Sequence, residues 1–111
     1  MVAGMDMNSV RLVGQVSGEP VDRLLPSGDH VVSFRVVVPR SAAARRRTRQ
    51  SVDTVECSAW SAKARRTAVR LGVGDQVAVS GELRRTFRRN GVGVTSWVTV
   101  DVNTIERTAA D

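Results

Sequence analysis

Apolar and polar residues alternate along five stretches of the chain, which predicts five half-buried β-strands. The alternation is clearest in the second stretch, where Val32, Phe34 and Val36 form one row and Ser33 and Arg35 lie off it. The predicted strands cover residues 8–16, 29–38, 54–60, 76–89 and 94–102.

Residues 52–83 are predicted to form a strand, a short helix, a glycine turn and a second strand. Ala64, Ala68 and Leu71 recur at helical spacing within residues 62–71, so this segment is expected to be a helix with one buried side. Gly72 and Gly74 end it. Two strands joined by one small helix favour a small barrel that carries the helix between them.

Turn residues set the remaining boundaries. Gly14 predicts a bulge or sharp bend in the first strand, residues 18–28 read as a connector rich in proline and glycine, and Asn90-Gly91 predicts a hairpin turn. The predicted fold is all-β with one short helix: an OB-fold, a five-stranded Greek-key barrel with the helix between strands three and four. We expect this domain to span residues 8–105, with a flexible leader at 1–7 and a short disordered C-terminus at 106–111.

A chain of 111 residues with 41% hydrophobic residues is the size of one domain with one core. The chain lacks an apolar run long enough to span a membrane and a recognisable signal pattern, which favours a cytoplasmic protein. Cys57 is the lone cysteine, which excludes an internal disulfide and fits a reducing compartment. Its place in the apolar row predicts burial rather than reactivity.

The net charge of +6 and the pI of about 11.4 favour a nucleic-acid partner. All but one of the 17 basic residues are arginine, which is also typical of a GC-rich genome. Codon usage does not explain the surplus of positive charge or its clustering.

The densest cluster is the segment 40–51, which we call the basic loop. We expect it to be disordered when free and to order on phosphate contact, although a merely solvated flexible loop would have the same composition.

Binding of a single strand needs cations along the backbone and flat side chains against the bases. Trp60 is predicted on the outward face at the end of strand three, although a core or oligomer contact is also possible there. Phe87 lies among arginines, which favours base stacking, whereas Phe34 falls in the core row and the role of Trp97 stays open. The predicted nucleic-acid contacts, besides Trp60 and Phe87, are Arg35, Arg40, Arg45, Arg46, Arg47, Arg49, Lys63, Arg84, Arg85, Arg88 and Arg89.

Catalysis is not predicted, because one histidine, one inward cysteine and no tyrosine leave no nucleophile and base that could act together. His30 has no companion ligands for zinc and reads as a solvated turn residue. We expect no metal, cofactor or small-molecule substrate.

The order of several segments resembles the bacterial single-stranded DNA-binding protein family. These are NSVRLVGQV, EPVDRLLPSG, VSFRVVV, ECSAWSAKAR followed by LGVGDQVAVSGELR, and the NG hairpin returning to VTVDVNTI. The resemblance covers about residues 8–105. It implies an OB-fold homotetramer that binds single-stranded DNA largely independently of sequence during replication, recombination and repair.

The resemblance is partial at the stacking residues. Trp60 matches the family's aromatic at the end of strand three, but Thr54 stands at the other aromatic position of that strand. A third stacking position falls near Ala42 or in the arginine run that follows it, and Phe87 matches the hairpin aromatic only after a shift of one residue. At least two stacking platforms are therefore expected to be missing, and arginines of the basic loop are expected to replace them.

The family usually ends in a linker with an acidic tip that recruits replication and repair enzymes, whereas this chain ends in ERTAAD. This departure from the family argues against recruitment of those enzymes by this short form, and it favours an auxiliary or specialised paralogue or a truncated chain. Two alternatives stay open: an OB-fold scaffold that contacts proteins, favoured by the few aromatics, and an RNA-binding OB-fold protein, which the lack of clustered strand aromatics disfavours.

Overall fold

A computed structural model describes residues 5–108 of the chain. The elements in order are β1 (Val10–Leu24), β2 (His30–Pro39), α1 (Ala42–Arg47), β3 (Val52–Ala59), α2 (Ala62–Ala68), β4 (Gln76–Asn90) and β5 (Gly93–Arg107). The strands close into a barrel in the order β1-β2-β3-β5-β4. β3 and β5 pair in parallel, and the other pairs are antiparallel. The predicted OB-fold is confirmed.

The alternating apolar rows meet inside the barrel because each strand turns one face inward. Val36, Cys57 and Val79 are fully buried there, and Ala64 and Ala68 of α2 close the barrel's base. Burial, reinforced by the negative charge of Glu56, raises the pKa of the Cys57 thiol to about 12. The predicted burial of Cys57 is confirmed, and the group stays a neutral thiol at neutral pH.

Two glycines permit close strand crossings. A Cβ at Gly14 would overlap the carbonyl of Val37, and one at Gly81 would overlap the carbonyl of Asp101. Of the two features predicted at Gly14, a bulge or a sharp bend, the bulge is wrong, because the register shifts of the β1 and β4 ladders fall at Ser17/Val21 and Ser80/Gly81. Gly14 serves close approach, a use of glycine that a strand pattern does not distinguish from a bulge.

Several predicted boundaries differ from the structure. Most of the predicted connector is strand, since β1 continues to Leu24, and the actual turn lies at residues 25–29. The helix predicted to reach residue 71 ends at Ala68. β5 continues to Arg107, beyond the predicted domain end, because Val77, Ala78 and their neighbours on β4 pair with it. Residues 5–9 precede β1 without regular structure, and the rest of the predicted leader and C-terminus lies outside the described residues.

The basic loop is structured, so the expectation of a disordered segment is wrong. Ser41 caps α1 by accepting a hydrogen bond from the Ala44 N–H, at 3.2 Å. The Arg40 N–H donates to the Ser51 carbonyl at 2.8 Å, and both Nε and Nη2 of Arg40 donate to Oδ1 of Asp53. These bonds join the two ends of the basic loop and hold the start of the arginine-rich segment against β3.

Candidate nucleic-acid interface

The outward residues of four strands form one groove on the barrel surface. Ser33 of β2 pairs with Ser58 of β3, Ser58 is opposite Asp101 of β5, and Thr99 of β5 pairs with Arg84 of β4. The side chains outside the core therefore share one face. We call this the tryptophan groove; two adjoining depressions of about 390 and 480 Å³ form it.

Two exposed indoles lie in this groove. Trp60 is 44% exposed and Trp97 is 41% exposed, and both line the first depression. Trp97 lines the second as well. Because each ring presents surface to solvent beside hydroxyl-bearing side chains, the groove combines apolar faces with hydrogen-bonding groups, as a binding site for nucleobases requires.

Trp60 is positioned by the junction between β3 and α2. β3 ends at Ala59, and Ser61 caps α2 by accepting from the Ala64 N–H at 3.1 Å. Arg65 of α2 donates from Nε to the Trp60 carbonyl at 3.0 Å. The indole Nε1 donates to Oδ1 of Asp101 at 3.2 Å. The backbone and the ring of Trp60 are therefore both tied to neighbouring elements.

Most of the charge in the groove is paired. Arg35 donates from Nε to Oε2 of Glu56 at 2.9 Å, and Arg84 donates from Nε to Oδ2 of Asp101 at 3.0 Å. Arg23 also lines the groove and has no ion pair within residues 5–108. Three arginines thus face two carboxylates, and the groove floor is nearly charge-compensated despite the basic composition of the chain.

Two basic arms rise at one end of the groove. Because β3 and β5 run parallel with Glu56 opposite Thr99, the residues before each of them lie toward the same end of the barrel. The basic loop precedes β3 at that end. The second arm is the β4–β5 hairpin over residues 83–98, which extends past the barrel and turns at Gly91 and Val92. Trp60 lies at the opposite end of β3.

The two faces of the hairpin arm differ. Thr86 pairs with Trp97 and Arg88 with Thr95, so these side chains share the face of the groove. Arg85, Phe87 and Arg89 lie on the other face, with the Arg85 guanidinium 5.3 Å from the centre of the Phe87 ring. That face also exposes apolar residues, namely Leu83, Val94 and Val98.

The structure brings some predicted contact residues together and separates others. Trp60, Arg35, Arg84 and Arg88 share the groove face, and Arg40 is engaged with Asp53 at the base of the loop. Lys63 lies elsewhere, on α2 beside residues 103–106 of β5. The other predicted residues occupy the arms: Arg45, Arg46, Arg47 and Arg49 on the basic loop, and Arg85, Phe87 and Arg89 on the far face of the hairpin.

Sequence reasoning missed three groove residues. Arg23 lies inside the predicted connector, and the sequence patterns assign no contact to Asp101. The sequence assigns no role to Trp97, although this residue alternates with Thr99 and Asp101 opposite the row of Val100 and so belongs on the outer face. The alternation of β4 would also have separated Phe87, which follows Leu83 and Arg85, from Arg84 and Arg88.

Within the described part of the chain, no group of three or more His, Cys, Asp or Glu side chains is arranged to hold a metal ion. None of the helices there combines the length and the apolar character that crossing a membrane would need.

Comparisons with known proteins place this geometry in context. The model of the single-strand binding protein family matches residues 7–108. A single-stranded DNA-binding protein of Bacillus cereus is 33% identical over 78 residues, which cover 70% of this chain and 45% of that protein. One from Oceanobacillus iheyensis is 29% identical over 93 residues, which cover 84% of this chain and 57% of that protein. The chain spans about half the length of these curated relatives.

A solved structure shares the fold. The Plasmodium falciparum SSB in complex with ssDNA superposes with a TM-score of 0.81 at 18% identity, covering 97% of this chain and all of that one.

Proposed function

The chain belongs to the single-strand binding protein family, and from this membership we propose that it binds single-stranded DNA, with bases in the tryptophan groove and phosphates along the two basic arms. The observation that carries the proposal is the pair of exposed indoles, Trp60 and Trp97, in one groove whose arginines are mostly paired. Curated relatives are named single-stranded DNA-binding proteins, which supports the same ligand.

The proposed mode assigns bases to the groove because a nearly charge-compensated floor gives little gain from phosphates. Flat aromatic faces bind any base, since every base has a π-face. Hydroxyl groups of Ser33, Ser58 and Thr99 provide polar contacts without demanding one base. Binding in this mode is largely independent of sequence.

Phosphates are assigned to the arms because most of the arginines there have no ion pair within residues 5–108, Arg40 and Arg84 being the paired ones. Arg45, Arg46, Arg47 and Arg49 are exposed on the basic loop, and no ion pair engages them within residues 5–108. A cation without a protein partner gains more from a phosphate than one that must first leave a carboxylate. The proposed path runs from Trp60 past Trp97 and out between the two arms.

The proposal also covers assembly and cellular role. The protein forms a homotetramer and has no catalytic step. It binds strands exposed during replication, recombination and repair, in the cytoplasm near the nucleoid. Sedimentation analysis of the protein alone tests the assembly, and a mass other than that of four chains would contradict it.

The test of the proposed function is a titration with oligo-dT that follows tryptophan fluorescence and, separately, the anisotropy of a labelled strand, with duplex DNA as the control. Saturable quenching by the single strand but not by the duplex is expected, since a duplex does not release its bases to the groove. Binding without quenching would remove the bases from the groove. Absence of binding by both readouts would contradict the proposed function.

A second candidate, a module that contacts proteins, is favoured by one observation. The far face of the hairpin arm exposes Phe87 at 63%, Val94 at 61%, and Leu83 and Val98 at 47% each. These apolar side chains share the face with Arg85, Ser96 and Arg89. Several large exposed apolar residues on one face are typical of a surface that contacts another protein. Light scattering with and without oligonucleotide separates the candidates: a mass that exceeds one chain and ignores DNA, with no binding by anisotropy, would favour the protein-contact role.

A further inference from the structure

Asp101 is an acidic residue in a groove that we assign to an anionic ligand, and its contacts explain why it lies there. It is on β5, and its side chain is 24% exposed. Oδ1 accepts from the indole of Trp60 on one side, and Oδ2 accepts from Arg84 on the other. One carboxylate therefore joins the end of β3 to β4 across the groove.

We infer that Asp101 is the positioning residue of the groove, which holds the Trp60 indole and the Arg84 guanidinium ready for a single strand. The inference deepens the proposed function and rests on it. A ring fixed before binding loses less conformational freedom when a base stacks on it, and this preorganisation strengthens binding. Asp101 need not touch the DNA.

Glu56 supplies a matched comparison within the same groove. It is also a carboxylate on an outward strand position, and it is also paired with one arginine, Arg35, at 2.9 Å. Within the described residues it accepts no hydrogen bond from an aromatic side chain. The two acids therefore differ in one respect that the inference uses, namely the bond to Trp60.

Electrostatics alone and the positioning role predict opposite changes in single-strand affinity when Asp101 is replaced by alanine. Removing either carboxylate makes the groove more positive. Arg35 then loses its partner, whereas Arg84 keeps a 3.5 Å contact with Glu82. Electrostatics alone therefore predicts tighter binding in both cases. If Asp101 positions Trp60, Asp101→Ala weakens binding of oligo-dT about fivefold despite the added positive charge. Glu56→Ala tightens it about twofold. Asp101→Asn stays within about twofold of the parent, because its amide oxygen still accepts from the indole.

The experiment measures oligo-dT affinity by anisotropy for these three variants, with thermal unfolding to show that each is folded. A Trp97→Phe background leaves Trp60 as the only tryptophan, so its emission reports the indole directly. Without DNA, Asp101→Ala is expected to shift this emission to longer wavelength and lower its steady-state anisotropy, and Asp101→Asn and Glu56→Ala are not. In a Trp60→Ala background, Asp101→Ala is expected to cause no further weakening.

Tighter binding by Asp101→Ala, equal to that of Glu56→Ala, would overturn the inference and leave the proposed function intact. Unchanged Trp60 emission in Asp101→Ala would also overturn it. If the parent protein does not bind single strands, that result contradicts the proposed function and, with it, the inference that rests on it.

Discussion

In the tryptophan groove, Arg35 and Arg84 each lie within 3.0 Å of a carboxylate oxygen, whereas Arg45, Arg46 and Arg47 on the basic loop are exposed and have no ion pair within residues 5–108. Both regions are rich in arginine, but only one has its charge available. A count of cations therefore does not locate the phosphate contacts of a basic protein. The pairing of those cations locates them better, and it assigns the groove to bases and the arms to phosphates.

The largest expected effect comes from removing the aromatic faces of the groove. Trp60→Ala combined with Trp97→Ala should weaken oligo-dT binding at least about thirtyfold, since each stacked base contributes about 1–3 kcal/mol. The dependence of affinity on salt should stay as in the parent, because no phosphate contact is lost. Anisotropy titrations at several salt concentrations measure both quantities, and a reduced salt slope would show that the indoles also organise phosphate contacts.

The next effect comes from the basic loop. Replacing Arg45, Arg46 and Arg47 together by glutamine should lower the slope of log affinity against log salt by about 2, at about 0.7 per phosphate contact on a single strand. Sequences of different base composition should lose affinity alike. An unchanged slope in the same titrations would exclude the loop from phosphate binding.

A matched pair of single variants sharpens the comparison between paired and unpaired arginines. Arg88→Gln removes a cation that has no ion pair within the described residues, so the salt slope should fall by about 0.7. Arg35→Gln removes one that is already bonded to Glu56, so the slope should change by less than about 0.3. Equal changes in the two variants would mean that the ion pair opens when DNA binds.

The smallest effect is expected on the far face of the hairpin arm. Phe87→Ala should change affinity less than about threefold, because the ring lies on the face opposite Trp97 and one of its sides is covered by Arg85. A loss as large as that of Trp97→Ala alone would mean that the strand passes over both faces of the hairpin.

The architecture could be predicted from the chain because strand alternation and turn residues are local signals. The row of Val32, Phe34 and Val36 and the outward position of Trp60 needed only the period of a strand. The helix in the basic loop was missed because six residues rich in arginine look the same in a solvated segment, and its cap and the Arg40–Asp53 bond depend on tertiary geometry.

The candidate site was harder to predict than the fold because it depends on register between distant strands. Arg35 and Glu56 are 21 positions apart, and Trp60 and Asp101 are 41 apart. No local pattern shows that these residues meet. The sequence therefore indicates the net positive charge of the protein, but it does not show which arginines are paired with carboxylates.

The claim that bases bind in the tryptophan groove and phosphates on the arms is tested most directly by comparing oligo-dT with an abasic oligomer of equal length, which has the phosphates without the bases. The parent protein should prefer oligo-dT strongly, whereas the Trp60→Ala, Trp97→Ala double variant should bind both ligands about equally and with an unchanged salt slope. A double variant that still prefers oligo-dT as strongly as the parent would contradict the assignment of bases to the tryptophan groove.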